Sequence, residues 1–86
     1  MLNIFINENL KIEVDYKKVD CNQESAHCHV VRGDERVAKV LVNPVKIESG
    51  HSLEQNEIDM VIDVVSANQS LIRDEYEYNK ENSVER

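Results

Sequence analysis

Hydrophobic and polar residues alternate from the first positions of the chain. Leu2, Ile4 and Ile6 take every second place, "NEN" (Asn7 to Asn9) interrupts them, and Leu10, Ile12, Val14 and Tyr16 resume the period with Lys11, Glu13, Asp15 and Lys17 between. A period of two on either side of a polar triplet predicts two half-buried strands joined as a hairpin. Residues 18–25, "KVDCNQES", are polar and aperiodic and read as a loop. A third strand is expected over about residues 26–32, a turn at "RGDER" with Gly33 free to take positive φ, and a fourth strand over about 37–42. Pro44 lacks a backbone donor and stops that strand or marks an edge, with a short extended piece allowed at Val45–Ile47.

The period then changes. Ser52 and Gln55 form an S-x-x-Q capping signal, with Glu54, Glu57 and Asp59 where the helix dipole favours negative charge. Ile58, Val61, Ile62, Val65, Ile72 and Tyr76 fall on one stripe at helical spacing. Met60, Val64, Ala67, Leu71 and Tyr78 form a second. At 100° per residue the two stripes span roughly 220° of the helix, more than a helix needs to pack on a sheet. The excess apolar arc is expected either to be buried by hairpins that curl around the helix or to touch something besides the sheet. From Asn79 the sequence "NKENSVER" has little to bury, and residues 79–86 are expected to fray. The expected fold is α+β: two β-hairpins forming a roughly four-stranded antiparallel sheet, with one long C-terminal helix packed on one face. The domain, ββββα, spans residues 1–78.

Alternation also sorts the chemistry. In a strand, residues i and i+2 share a face, so Ala26, Cys28 and Val30 join Ala38, Val40 and Val42 beneath the helix. His27, His29 and Val31 are expected on the opposite, wetter face, with Lys39 and positive charge from Arg32 and Arg36. H-x-H suits a metal, but zinc needs a third or fourth ligand. The candidates His51, Asp20, Glu24 and Cys21 stand at no diagnostic spacing, so His27, His29 and His51 are a candidate set only. Cys28 beside two histidines suggests a nucleophile and base, yet alternation sends it to the other face. No G-x-S-x-G and no phosphate-cradling glycine loop occurs in a chain with two glycines. No cofactor is expected.

Charge narrows the partner. Of 86 residues, 17 are acidic and 10 basic, a formal charge of −7. Residues 1–53 hold eight acids and seven bases, and residues 54–86 nine acids and three bases, so the last third carries −6 of that charge. Such a surface repels phosphate backbones and argues against direct nucleic-acid binding. No apolar run is long enough to span a bilayer, no signal-peptide pattern is present, and two cysteines make no disulfide framework. A cytoplasmic location and no membrane contact are expected.

"AHCHVVRGDERVAKVLVNPVKI", followed by Gly50, Ser52, Asn68 and a C-terminal "EYEY", resembles the domain-of-unknown-function family 4160. That family of small bacterial proteins has an H-x-H-V strand, a glycine turn, an A-K strand, an L-x-P-V step and a G-[FY]-S helix start. His27, His29, Val30, Gly33, Ala38, Lys39, Pro44, Val45, Gly50, Ser52 and Asn68 fall on its marked positions. The chain departs from the pattern at Ser25–Ala26, where the family has a proline pair, at His51, where it has an aromatic, and at Glu75, where it often has a tryptophan. The resemblance implies a ββββα domain without an established activity, from genes that often lie in toxin–antitoxin-like pairs.

The first functional expectation is a non-enzymatic protein-binding module in the bacterial or phage cytoplasm, masking or inhibiting a partner as an antitoxin, immunity or anti-defence protein does. Its contacts would come from acidic Asp59, Asp63, Asp74 and Glu77, from apolar Met60, Val64, Leu71 and Tyr78, or from the face carrying His27 and His29. The partner would be another protein with a basic surface. The alternatives are a metal-dependent hydrolase or nuclease using the H-x-H pair, and a homodimer through the second stripe.

Overall fold

The computed structural model describes residues 2–14 and 26–82. Among them are β1 (Leu2–Phe5), β2 (Leu10–Val14), β3 (His27–Arg32), β4 (Glu35–Val42), β5 (Val45–Ile47), α1 (Gln55–Ala67) and α2 (Gln69–Asn82). The fold is α+β, with the strands in one antiparallel sheet in sequence order β1 to β5. Two expectations are corrected. Among the described residues the sheet has five strands rather than four, because Val45–Ile47 pairs with β4 through Val40↔Ile47 and Val42↔Val45. The single long helix is two helices that meet at Asn68.

The turns follow from their residues. The Asn7 side-chain oxygen accepts from the backbone N–H of Asn9 (2.8 Å) and Leu10 (2.9 Å), closing the first hairpin. Gly33, at φ +64°, closes a two-residue turn between Arg32 and its partner Glu35. Asn68 explains the helix break. Its backbone N–H donates to the carbonyls of Val64 (3.1 Å) and Val65 (3.2 Å), and its side-chain amide donates again to Val64 (2.8 Å). A side chain that competes for helical carbonyls loosens the ladder at that turn. Gln69 then anchors the joint to the sheet by donating its side-chain amide to the carbonyl of Val42.

The core lies between the sheet and the helices. Leu10, Ile12 and Val14 of β2, Cys28 and Val30 of β3, and Val37, Ala38, Val40 and Val42 of β4 meet Val61, Val65, Ile72 and Tyr76. Of the expected helix stripe, Ile58 is only half-buried and Ile62 is exposed, so the buried face is narrower than the apolar pattern. Helix α2 runs on through Asn82, where Asn79 donates to Glu75 (3.1 Å) one turn earlier.

The helix begins later than the S-x-x-Q signal places it. Ser52 remains on the sheet edge, its N–H donating to the carbonyl of Val37 (2.9 Å). Glu54 is the N-cap, and Glu57 accepts from the Glu54 N–H (2.9 Å) in a capping box. No helix among the described residues is long and apolar enough to cross a membrane.

Candidate functional site

A β-bulge assembles the open face of the sheet. The β3–β4 register shifts between Val30 and Val31, leaving Val37 without a partner between Ala38 and Arg36. Val37 and Ala38 are both buried, and the alternation reverses beyond them. Arg36, which strict alternation from Ala38 would send to the core side, instead reaches the open face and ion-pairs with Glu13 of β2 (3.4 Å). The expectation for Arg32 is corrected too: β3 keeps its alternation, so Arg32 shares the side of Cys28 and Val30, opposite Leu10 of β2. It lies on the helix side, where its guanidinium grips the Glu57 carboxylate with two bonds (2.8 and 3.0 Å) and donates to the Ser52 carbonyl (3.1 Å).

His29 is at the centre of the open face, opposite Glu13 of β2 on one side and Lys39 of β4 on the other. Burial, with the positive charge of Arg36, the neighbouring His27 ring and Lys39, pushes its pKa down to about 4, against a smaller upward pull from Glu13. The imidazole is therefore neutral at neutral pH. Acid–base catalysis favours a pKa near the working pH, so His29 is poorly tuned for that work.

His27 corrects the expectation of a wet-face pair. It is 2% exposed. Its ring lies edge-on to His29 (centroids 5.2 Å apart, planes at 88°) and tilted against Tyr76 of α2 (5.1 Å). The helix tyrosine, fully buried itself, covers the end of β3 and removes His27 from solvent. That contact spans 49 positions of sequence (76 − 27) and has no local signal. His27 is thus buried between His29 and Tyr76 rather than presented to solvent.

His51 reaches the same neighbourhood from the loop beyond β5. Glu48 donates its N–H to the Lys39 carbonyl (2.9 Å), which holds the loop along β4, and the Leu53 N–H donates to His51 Nδ1 (3.1 Å). His29, Arg36, Lys39, Ser49 and His51 line a shallow depression of about 380 Å³, open to solvent. His29 and His51 thus share a rim that His27 does not line. Among the described residues no three His, Cys, Asp or Glu side chains gather closely enough to hold a metal. Asp20, Cys21 and Glu24 lie outside the described residues. Cys28 is fully buried, and burial pushes its thiol up to about 12, the opposite of an activated nucleophile.

The other candidate residues lie along the two helices. Asp59, Asp63, Asp74 and Glu77 are exposed, with Asp59 accepting from Gln55 (3.2 Å). Met60 and Val64 are half-buried, Val64 against the core. Leu71 is 50% exposed and Tyr78 63%. On a helix, positions three and four apart are neighbours, so Asp74 stands between Leu71 and Tyr78, and Asp63 beside Met60 and Ala67. The arrangement is an apolar flank bordered by carboxylates.

The Arg32–Glu57 clamp was hidden from sequence reasoning. A clue exists in Glu57, which stands three residues after the true N-cap. Arg32 and the Glu54 backbone N–H hold its carboxyl at about 2, well below the usual range.

The model of one protein family, the domain of unknown function DUF4160, matches residues 16–77, and the chain belongs to that family. The first two strands precede the match. No curated protein matches the chain. No solved structure does either.

Proposed function

We propose that this member of the DUF4160 family is a non-enzymatic protein-binding module, one that masks or inhibits a partner in the manner of an antitoxin, immunity or anti-defence protein. The observation that carries the reading is the outer helix face, where half-exposed Leu71 and Tyr78 flank Asp74 and where Asp59, Asp63 and Glu77 add carboxylates. An apolar strip buried at a contact supplies affinity, and the acidic border selects a partner with a basic rim and steers its approach. The −6 charge of residues 54–86 gives that steering its range. The depression at His29 and His51 is shallow and open, and His29 is neutral at neutral pH. That setting suits surface recognition better than catalysis.

Site-specific photo-cross-linking in the cells that carry the gene tests the proposal. A photoreactive residue replacing Asp63 or Leu71 should attach to one discrete polypeptide, and the same residue replacing Lys46 at the far edge should not. No product from Asp63 or Leu71, or equal products from all three positions, would overturn it.

A further inference from the structure

The two edges of the sheet are built differently. β5 is three residues long, follows Pro44 and carries Lys46, with Glu48 just beyond it. Short length, proline and charge are the devices that keep an edge strand from pairing with another chain. β1 carries neither proline nor charge. The stretch Leu2–Asn7 reads L-N-I-F-I-N, and β1 runs in unbroken register with β2. Phe5 is 74% exposed. Among the described residues, no strand lies on the outer side of β1.

The phase of the β1–β2 ladder shows which backbone groups face out. The Ile6 N–H donates to the Leu10 carbonyl (2.9 Å), and the register continues as Ile4↔Ile12 and Leu2↔Val14. Antiparallel pairs alternate between hydrogen-bonded and non-bonded. Leu2, Ile4 and Ile6 therefore turn their backbone groups inward to β2, and Asn3 and Phe5 turn theirs outward.

We propose that β1 pairs antiparallel with β1 of a second copy of the chain, about a two-fold axis through Ile4, joining two sheets into one. This register sets Asn3 opposite Phe5 of the second copy, and Phe5 opposite Asn3, so all four outward groups of each strand find partners. Centring the axis on Phe5 instead would set Asn3 opposite Asn7, whose N–H already donates to Leu10 (3.2 Å). Centring it on Asn3 would carry Phe5 past the end of the second β1. Residues directly opposite in an antiparallel pair point to the same side. Leu2 and Ile6, and the two Ile4 side chains on the axis, would extend the core across the junction. All three are only partly buried against the core of one copy. The occupant is a second copy because the pattern is complementary to itself and because this edge is the uncharged strip of a chain carrying −7.

Sedimentation velocity of the full chain across micromolar concentrations, with two variants, tests the pairing. A concentration-dependent dimer is expected. Asn3→Pro removes one outward N–H and no inward bond, so the dimer should weaken by about tenfold or more with the unfolding transition kept. Leu71→Asp should leave the dimer intact. A third variant, Ile4→Cys, places two thiols in a non-bonded pair on the axis, where Cα atoms approach to about 4.5 Å. Mass mapping of the oxidised Ile4→Cys protein should find a disulfide that joins position 4 of one copy to position 4 of the other. A monomer at every concentration would overturn the proposal. So would a dimer that survives Asn3→Pro and dissolves with Leu71→Asp, or an Ile4→Cys variant without that link.

Discussion

Lowering the pH through the ordinary histidine range protonates His29 in the unfolded chain well before the folded one accepts the proton. Folded His29 holds out to about 4 because its ring is partly buried beside Arg36, His27 and Lys39, with Glu13 alone pulling the other way. The unfolded chain binds more protons between about 6.5 and that value, so stability rises with pH there. The contribution is complete above about 6.5 and is lost as pH falls towards 4. That gap corresponds to roughly 3 kcal/mol, and solvent screening at the open edge of the ring reduces it to about 2 kcal/mol. Urea unfolding at pH 7 and at about pH 4.5 measures the loss. Carboxylates titrate in the same range, so the informative quantity is the difference between the protein and its His29→Gln variant. The variant should lose about 2 kcal/mol less on acidification. An NMR titration that puts the folded His29 midpoint near 6.5, or equal losses in both proteins, would refute the reasoning.

Neighbouring positions on the second helix should differ sharply. Ile72, fully buried, should cost about 2–5 kcal/mol on change to alanine, and half-exposed Leu71 under about 1 kcal/mol, read by chemical denaturation. Arg32→Ala and Glu57→Gln should each destabilise the protein, and the double variant should be less destabilised than the sum, because both remove one clamp. The Glu57 carboxyl is held at about 2, so its contribution is present above the usual carboxylate range and fades as pH falls through that value. Glu57→Gln should flatten the acid limb of the stability profile. Asp63→Lys with Asp74→Lys should weaken capture of the partner in a salt-dependent way and leave the thermal transition within a few degrees, because both side chains are exposed.

Where local pattern sets the structure, the sequence was readable. Leu10, Ile12 and Val14 alternate into the core, as do Cys28 and Val30, and Val61, Val65, Ile72 and Tyr76 hold the helical stripe. Most departures share a cause: a partner distant in sequence. His27 reads as a wet-face residue until Tyr76 folds over it. Arg32 needs no distant partner to take the helix side, since alternation along β3 already sets it with Cys28 and Val30. Glu57 and the Ser52 carbonyl receive it there, while the bulge at Val37 brings Arg36 to the open face. Ser52 has the residue type and spacing of an N-cap, yet its backbone is committed to Val37 on the sheet edge, which leaves the cap to Glu54. Asn68 carried a local signal for the break, an amide able to reach the Val64 carbonyl, but the long apolar stripe masks it. In the candidate site, the acidic border and apolar flank were visible from helical spacing alone. The depression shared by His29 and His51 was not, because the loop after β5 creates it.

Native mass spectrometry of the chain captured gently from its own cells tests most directly the claim that it binds a protein and performs no chemistry. The account predicts a metal-free mass carrying a second polypeptide, with that polypeptide lost in the Asp63→Lys, Asp74→Lys variant. A stoichiometric metal that disappears in a His27→Ala, His29→Ala variant would contradict it.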